Sequence, residues 1–71
     1  MKWRHRPGQL VRLSEAIRAT GIHVRLDGGG FGHRLTSDDM LVVLKTRDTD
    51  VYALSPRGSG WVYSGYLEEV T

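Results

Sequence analysis

The sequence contains no cysteine, and this absence excludes several classes of protein at once. Without thiols the chain cannot form a disulfide framework, a thiolate zinc site or a cysteine nucleophile. Secreted proteins of this size usually depend on such cross-links, so we expect a cytoplasmic protein.

Long apolar segments are also missing. The longest apolar run, residues 40–44, is far shorter than the ~20 residues that cross a bilayer, so no contact with a membrane is expected. The charged residues at the start are not followed by an apolar stretch, which argues against a signal peptide. A chain of 71 residues supports one domain with a marginal core, and this excludes multidomain enzymes.

Charge is distributed unevenly along the chain. Residues 1–34 carry seven of the ten cations but only two of the eight anions, and eight of the ten cations are arginine. A basic face would suit nucleic acid or an acidic protein, because guanidinium groups make forked contacts with phosphate and carboxylate. Alternatively, basic and acidic strands pair with each other in the fold, and the net charge of +2 then leaves little field.

The chain is interpreted as short strands separated by turns. Clean alternation over residues 22–26 predicts a strand, and the glycines at 28–30 suit a hairpin turn. Residues 40–45 form the most apolar segment and predict a central strand, and further strands are expected at 51–54, 61–63 and 67–70. Such frequent turn signals are typical of a small β-barrel or sandwich.

Residues 9–20 admit two interpretations. Val11 and Leu13 would share one face of a strand, but Leu10, Leu13 and Ile17 also recur at helical spacing, and the Thr-Gly pair at 20–21 would end a helix. A strand followed by a loop predicts an all-β fold. A helix at about 9–20 packed on an antiparallel sheet predicts an α+β fold.

Residues 60–67 (Gly-Trp-Val-Tyr-Ser-Gly-Tyr-Leu) resemble the closing motif of SH3 domains. In that family a glycine, an aromatic or aliphatic residue and a branched apolar residue precede Pro-Ser-Asn-Tyr and an aliphatic residue. Here Tyr63 stands at the proline position and Gly65 at the asparagine position. The resemblance implies a strand that ends in one turn of 3₁₀ helix and then re-enters the barrel as its last strand.

The resemblance also implies a layout for the whole chain. It predicts an all-β, SH3-like small β-barrel of about five strands with a long RT-type hairpin loop over residues 15–37. A basic arm at 1–8 would precede a single SH3-like domain at 9–71. The layout is most similar to the short stand-alone SH3-like proteins of bacteria and their phages, which is an analogy of fold.

The departures from the family bear on function. Nothing near residues 10–13 resembles the family's early Ala-Leu-Tyr-Asp-Tyr motif, and Tyr52 stands nearest to the position of a tryptophan in the second meander strand. The presumed RT loop is basic, whereas the family's is acidic. Of the family's ligand-binding residues, only Tyr66 lies at a matching motif position, so binding of proline-rich basic peptides is not expected.

Aromatic residues near the carboxyl end give the clearest indication of a binding surface. Alternation over residues 61–63 puts Val62 inward and places Trp61 and Tyr63 together on the opposite face. Exposed rings would bind a partner well, because amphipathic aromatics dominate interface energetics, unless another segment of the chain covers this face. The predicted protein-binding residues are Trp61, Tyr63, Tyr66, Tyr52, Arg25 and Arg34.

No constellation of residues indicates catalysis or a bound cofactor. The glycines at 28–30 fit neither nucleotide-binding pattern, although their amides, with Arg25 and Arg34 near in sequence, could bind an anion. The three histidines lack metal-ligand spacing, the aspartate pairs fit no calcium loop, and no nucleophile elbow surrounds a serine. We expect no enzymatic activity, no metal and no small-molecule cofactor.

The sequence therefore predicts a non-enzymatic interaction module that acts through contacts with another protein or through self-association. It would serve as a small accessory or structural protein of a bacteriophage, in the host cytoplasm or in the virion. The alternative is a small β-barrel that binds nucleic acid through its basic amino-terminal half and its aromatics. The residues proposed for that contact are Lys2, Trp3, Arg4 and Arg6.

Overall fold

The computed structural model describes residues 5–70, and antiparallel strands account for most of them. The elements in chain order are β1 (Leu10–Leu13), α1 (Glu15–Arg18), β2 (Ile22–Arg25), β3 (Phe31–Leu35), β4 (Leu41–Arg47), β5 (Asp50–Ser55), β6 (Gly58–Tyr63), a 3₁₀ turn (Ser64–Tyr66) and β7 (Leu67–Glu69). The all-β prediction is confirmed. The α+β alternative is not, because α1 is a single helical turn between two strands.

The strands within residues 5–70 form one seven-stranded sheet in the order β3-β2-β6-β5-β4-β1-β7, curled into a half-barrel. Strands β4, β5 and β6 form a three-stranded meander joined by tight turns. The sheet has seven strands instead of the expected five because both arms of the long hairpin, β2 and β3, are themselves strands of it.

The last strand returns to the first. Strand β7 pairs antiparallel with β1, with Val11 opposite Glu69 and Leu13 opposite Leu67. The Ser14 N–H also donates to the Tyr66 carbonyl at 2.7 Å, which fixes the 3₁₀ turn beside the end of β1. The tail therefore closes on the opening strand, and the turn lies at the position that the closing motif implies.

The core fills the concave side of the curled sheet with aliphatic side chains. Every strand contributes to it, because alternate residues of each strand point to the same side. Complete burial of each valine or leucine contributes roughly 1.5–3 kcal/mol. The buried cluster consists of Val11, Leu13, Val24, Leu35, Leu41, Val43, Val51, Ala53, Val62 and Leu67, with Ile17 and Ile22 packed against it.

The described part of the predicted basic arm packs against the domain. The His5 side chain is 1% exposed, and its Nε2 lies 3.3 Å from the Ser64 carbonyl oxygen. The Gly8 N–H donates to the Val43 carbonyl at 2.6 Å. His5 and Gly8 therefore contact the strands and the turn that follow them in the chain.

Strands β2 and β6 meet at one point and then separate. Arg25 opposite Trp61 is the one register pair between them, whereas β5 and β6 share six. The approach is close at Gly60, where an added Cβ would lie 2.5 Å from the Val24 Cβ. Glycine at this position thus permits β2 to lie close beside β6, and away from the pair Arg25–Trp61 the two strands share no further register pair. No helix within residues 5–70 has the length and apolarity to span a bilayer.

Candidate protein-binding groove

A groove of about 330 Å³ lies where β2 and β6 diverge. An adjoining depression of about 520 Å³ shares four of its lining residues, Ile22, His23, Phe31 and Tyr66. The groove is therefore formed by the β2–β3 hairpin on one side and by the end of β6 with the 3₁₀ turn on the other. Its full lining consists of Ile22, His23, Arg25, Phe31, Asp50, Trp61, Val62, Tyr63 and Tyr66.

Phe31 is the most exposed large apolar side chain of the described residues, at 73% exposure. It begins β3 directly after the glycine turn and lies opposite Arg25, beside the groove. Sequence reasoning did not select Phe31, Ile22 or His23 as binding residues. A lone aromatic after a glycine run was the available signal for Phe31, but its place beside Tyr66 depends on pairing between distant strands.

Tyr63 and Tyr66 form the opposite wall of the groove. Their rings meet edge-to-face, with centroids 5.1 Å apart and planes at 83°. The Tyr63 ring lies over Gly65 so closely that a Cβ added to Gly65 would overlap the Tyr63 Cε2. Residue 65 suits glycine, because the Tyr63 ring occupies the space that a larger side chain would need. Both tyrosines remain partly exposed, at 46% and 40%.

Trp61 is on the face that alternation predicted, opposite the core residue Val62, but it is not the exposed contact residue that was expected. Its side chain is only 4% exposed. The Arg47 guanidinium lies 4.3 Å from the Trp61 ring centroid, and the Trp61 indole N–H donates to Asp27 Oδ1 at 2.6 Å. Residues from the meander and from the hairpin tip therefore cover the Trp61 ring, which is the alternative that the sequence left open for this face, whereas Tyr63 stays partly exposed.

The other predicted binding residues divide between the groove and its surroundings. Arg25 lines the groove and pairs with Asp50. Tyr52 does not line it, because its ring packs against Trp61 at 5.0 Å and its hydroxyl hydrogen-bonds Ser59 Oγ at 2.9 Å. Arg34 reaches away from the groove and donates to the Thr20 carbonyl.

A second hollow of about 280 Å³ adjoins the groove at the tip of the hairpin. It shares Arg25, Phe31 and Trp61 with the groove, so the two form one continuous furrow. Apart from Leu26, the added residues are charged or glycine, and they include Arg47. The lining of this hollow consists of Arg25, Leu26, Asp27, Gly29, Gly30, Phe31, Arg47 and Trp61.

One serine lies near a histidine, but its hydrogen bonds assign it to a turn. Ser55 Oγ is 3.3 Å from His33 Nε2, donates to the Gly58 carbonyl at 3.0 Å and accepts from the Arg57 N–H at 3.1 Å. The nearby buried Asp39 accepts from Thr36 and Arg57, and it forms no recorded bond to His33. The β5–β6 turn thus uses these groups as structural partners.

The acidic end of the chain is paired with basic residues of the first half. Glu68 accepts from Arg12 Nε at 2.8 Å and from Arg18 at 3.1 Å. The hydrogen bond from Arg12 is the main cause that lowers the pKa of Glu68 below its usual value. Part of the basic first half is therefore neutralised by the tail, as one of the two interpretations of the charge distribution predicted.

Three of the four residues proposed for nucleic-acid contact, Lys2, Trp3 and Arg4, lie outside the described residues. Arg6 is exposed. Among residues 5–70, no group of three histidine, aspartate or glutamate side chains is placed to hold a metal ion.

Comparisons of the chain with protein-family models, with curated protein sequences and with solved structures found no match.

Proposed function

We propose that this protein is a non-enzymatic interaction module that binds an extended segment of another protein in the groove between the β2–β3 hairpin and the 3₁₀ turn. The observation that carries the proposal is the juxtaposition of Phe31 on one wall with Tyr66 on the other, both solvent-accessible and both lining the same groove. Aromatic side chains around a concave surface are the usual centre of a protein interface.

The dimensions of the groove support this kind of partner. A volume of about 330 Å³ accommodates one or two side chains of a peptide, and the adjoining depression extends the contact along Ile22 and His23. The diverging strands also leave room between β2 and β6, and main-chain groups of strands beyond their last register pair can bond an added extended chain.

The arrangement of the rings favours a protein over a single-stranded nucleic acid. Bases stack on open aromatic faces. The Trp61 ring is covered by Arg47, the Tyr52 ring packs against Trp61, and Tyr63 packs edge-to-face on Tyr66. Phe31 is thus the best-exposed ring on this face. The SH3-like resemblance of the closing motif supports a role as an accessory or structural component of a bacteriophage, in the host cytoplasm or the virion.

The proposal is tested by selection from a displayed library of random 12-residue peptides on the immobilised protein. Peptides enriched on the wild-type protein should bind Phe31→Ser and Tyr66→Ser at least about tenfold more weakly, because each change removes a groove wall. Leu54→Ser is the matched control, since Leu54 is similarly exposed but lies on β5 outside the groove. Failure to enrich any peptide, or equal loss in all three variants, would overturn the proposal.

A further inference from the structure

Two cations without an acidic partner among residues 5–70 lie beside the furrow: Arg47 lines the hollow at the hairpin tip, and Lys45, which lines neither hollow, approaches the same Trp61 ring. Four ion pairs occur within residues 5–70, and the one beside the groove joins Arg25 to Asp50. Lys45 and Arg47 lie on the same face of the sheet, since Lys45 is opposite Tyr52 and Arg47 is opposite Asp50. Neither forms an ion pair with any residue of 5–70.

These two cations are held in place by aromatic rings. The Arg47 guanidinium is 4.3 Å from the centroid of Trp61, and Lys45 Nζ is 5.1 Å from the centroid of Tyr52 and 5.5 Å from that of Trp61. Cation–π contacts of this geometry restrain a long side chain without neutralising its charge. Arg47 and Lys45 are therefore already positioned for an anionic group. These two side chains lose less conformational entropy on binding than unrestrained side chains would.

The cationic end and the aromatic groove are joined. The hollow that contains Arg47 shares Arg25, Phe31 and Trp61 with the groove. Asp27 is the one carboxylate among the lining residues of this hollow, and its Oδ1 already accepts from the Trp61 indole N–H. A bound segment that leaves the aromatic groove past Phe31 thus meets positive charge.

We infer that the partner segment is acidic: it places an apolar side chain between Phe31 and Tyr66 and its carboxylates on Arg47 and Lys45. This inference rests on the proposed function and adds the chemistry of the ligand. Complementary charge of this kind increases the association rate and selects among partners.

A second copy of the chain fits this site less well. Much of its negative charge is engaged within the fold, because Glu68 binds Arg12 and Arg18, and Asp39 binds Arg57. Its exposed carboxylates, such as Asp38, belong to a chain whose net charge is +2, so a second copy is repelled overall by the same cations. A separate acidic protein segment brings unpaired carboxylates, so it is the occupant that charge complementarity favours.

The experiment uses the peptides selected on the wild-type protein and measures their composition and their affinities. We expect enrichment of Asp and Glu beside at least one apolar residue, and an affinity that falls as salt is raised. Arg47→Glu and Lys45→Glu should each weaken binding of an acidic selected peptide about tenfold or more, because reversal replaces attraction by repulsion. Arg6→Glu changes the net charge equally at an exposed residue that lines neither hollow, and it should change the affinity less than about twofold. Thermal unfolding checks that each variant is folded.

The outcomes separate the two proposals. The acidic partner would be overturned if the selected peptides were neutral or basic, or if both Lys45→Glu and Arg47→Glu left the affinity unchanged. In that case, a loss of peptide affinity in Phe31→Ser would still leave the groove as the binding site. Unchanged affinity in Phe31→Ser and Tyr66→Ser would overturn the proposed function and the inference with it. A fluorescent single-stranded 20-nucleotide DNA or RNA is the competing ligand. If it binds more tightly than any peptide and Arg47→Glu loses this binding, the face binds nucleic acid, and both the proposed function and the acidic partner are overturned.

Discussion

Trp61 donates its indole N–H to Asp27 Oδ1 at 2.6 Å, and this bond connects the meander to the tip of the β2–β3 hairpin. The same ring packs against Tyr52 and lies under Arg47. Trp61 therefore stabilises the fold from the convex side of the sheet, while the aliphatic core stabilises it from the concave side. In the proposed binding site, Trp61 supports the groove and holds the Arg47 guanidinium above its ring.

Trp61→Ala should reduce the free energy of unfolding by about 3–5 kcal/mol, as expected for a buried tryptophan. Trp61→Phe retains much of the packing but leaves Asp27 without its donor, so a smaller loss of about 1–3 kcal/mol is expected. Urea unfolding followed by circular dichroism measures both. Tyr63→Ala is the control, because that ring is half-exposed. A cost for Trp61→Ala no greater than that for Tyr63→Ala would contradict the role given to Trp61.

Gly60→Ala should destabilise the fold by about 1–3 kcal/mol, because the new methyl group would meet the Val24 side chain at 2.5 Å. The affected contact is the close approach of β2 to β6. Gly28→Ala is the matched control, since an added Cβ at that turn position has no neighbour within 4 Å, and its effect should stay within about 0.5 kcal/mol. Equal melting temperatures for the two variants would contradict the close approach of Val24 to Gly60.

Gly65→Ala should displace the Tyr63 ring from its place over the 3₁₀ turn. A double-mutant cycle isolates this effect: the alanine should be costly beside Tyr63 and nearly neutral in a Tyr63→Ala background, with a coupling energy on the order of 1 kcal/mol. Chemical denaturation of the four proteins gives the cycle, and the ring resonances of Tyr66 report the local change. Additive free energies would contradict the close contact between Gly65 and Tyr63.

Acid should weaken the link between β7 and the first half of the chain. The Arg12 hydrogen bond lowers the pKa of Glu68 in the folded state, below its usual value of about 4.5. The stabilisation from Glu68 is therefore fully present above pH 4.5 and is lost as the pH falls through the lower folded-state pKa.

In Glu68→Gln the free energy of unfolding should accordingly fall less steeply between pH 4.5 and pH 2 than in the wild-type protein. Asp38→Asn serves as the control, because Asp38 is exposed and forms no ion pair within residues 5–70. Its acid profile should match that of the wild-type protein. Parallel profiles for Glu68→Gln and wild type would show that the Arg12–Glu68 contact adds nothing to acid stability.

Local sequence patterns predicted the strands well, because the alternation of a strand depends only on residues that are adjacent in the sequence. Alternation over residues 22–26 predicted β2, which spans Ile22–Arg25, and the apolar run near residue 41 predicted β4. Residues 9–20 were ambiguous for a physical reason: β1 and α1 are adjacent four-residue elements. Val11 and Leu13 alternate as in a strand, while Leu10, Leu13 and Ile17 recur at helical spacing across both elements.

The groove could be predicted only in part. Tyr63 was selected from the alternation over residues 61–63 and Tyr66 from the closing motif, and both line the groove. The burial of Trp61 and the contribution of Phe31 depend on how the hairpin tip lies over β6, and that contact joins residues more than 30 positions apart. Alternation gives the side of the sheet on which a residue lies, but it does not show which other segment covers that side.

The single register pair between β2 and β6 has a consequence for how the protein opens. Strands β5 and β6 are paired along their whole length, whereas Arg25 opposite Trp61 is the one register pair that joins β2 to β6. Fluctuations should therefore release the β2–β3 unit before the meander separates, and its amide protons should exchange with deuterium sooner. The groove has one wall on the β2–β3 unit, so local opening of that unit would widen the groove for a bulky side chain and its closing would narrow the groove again.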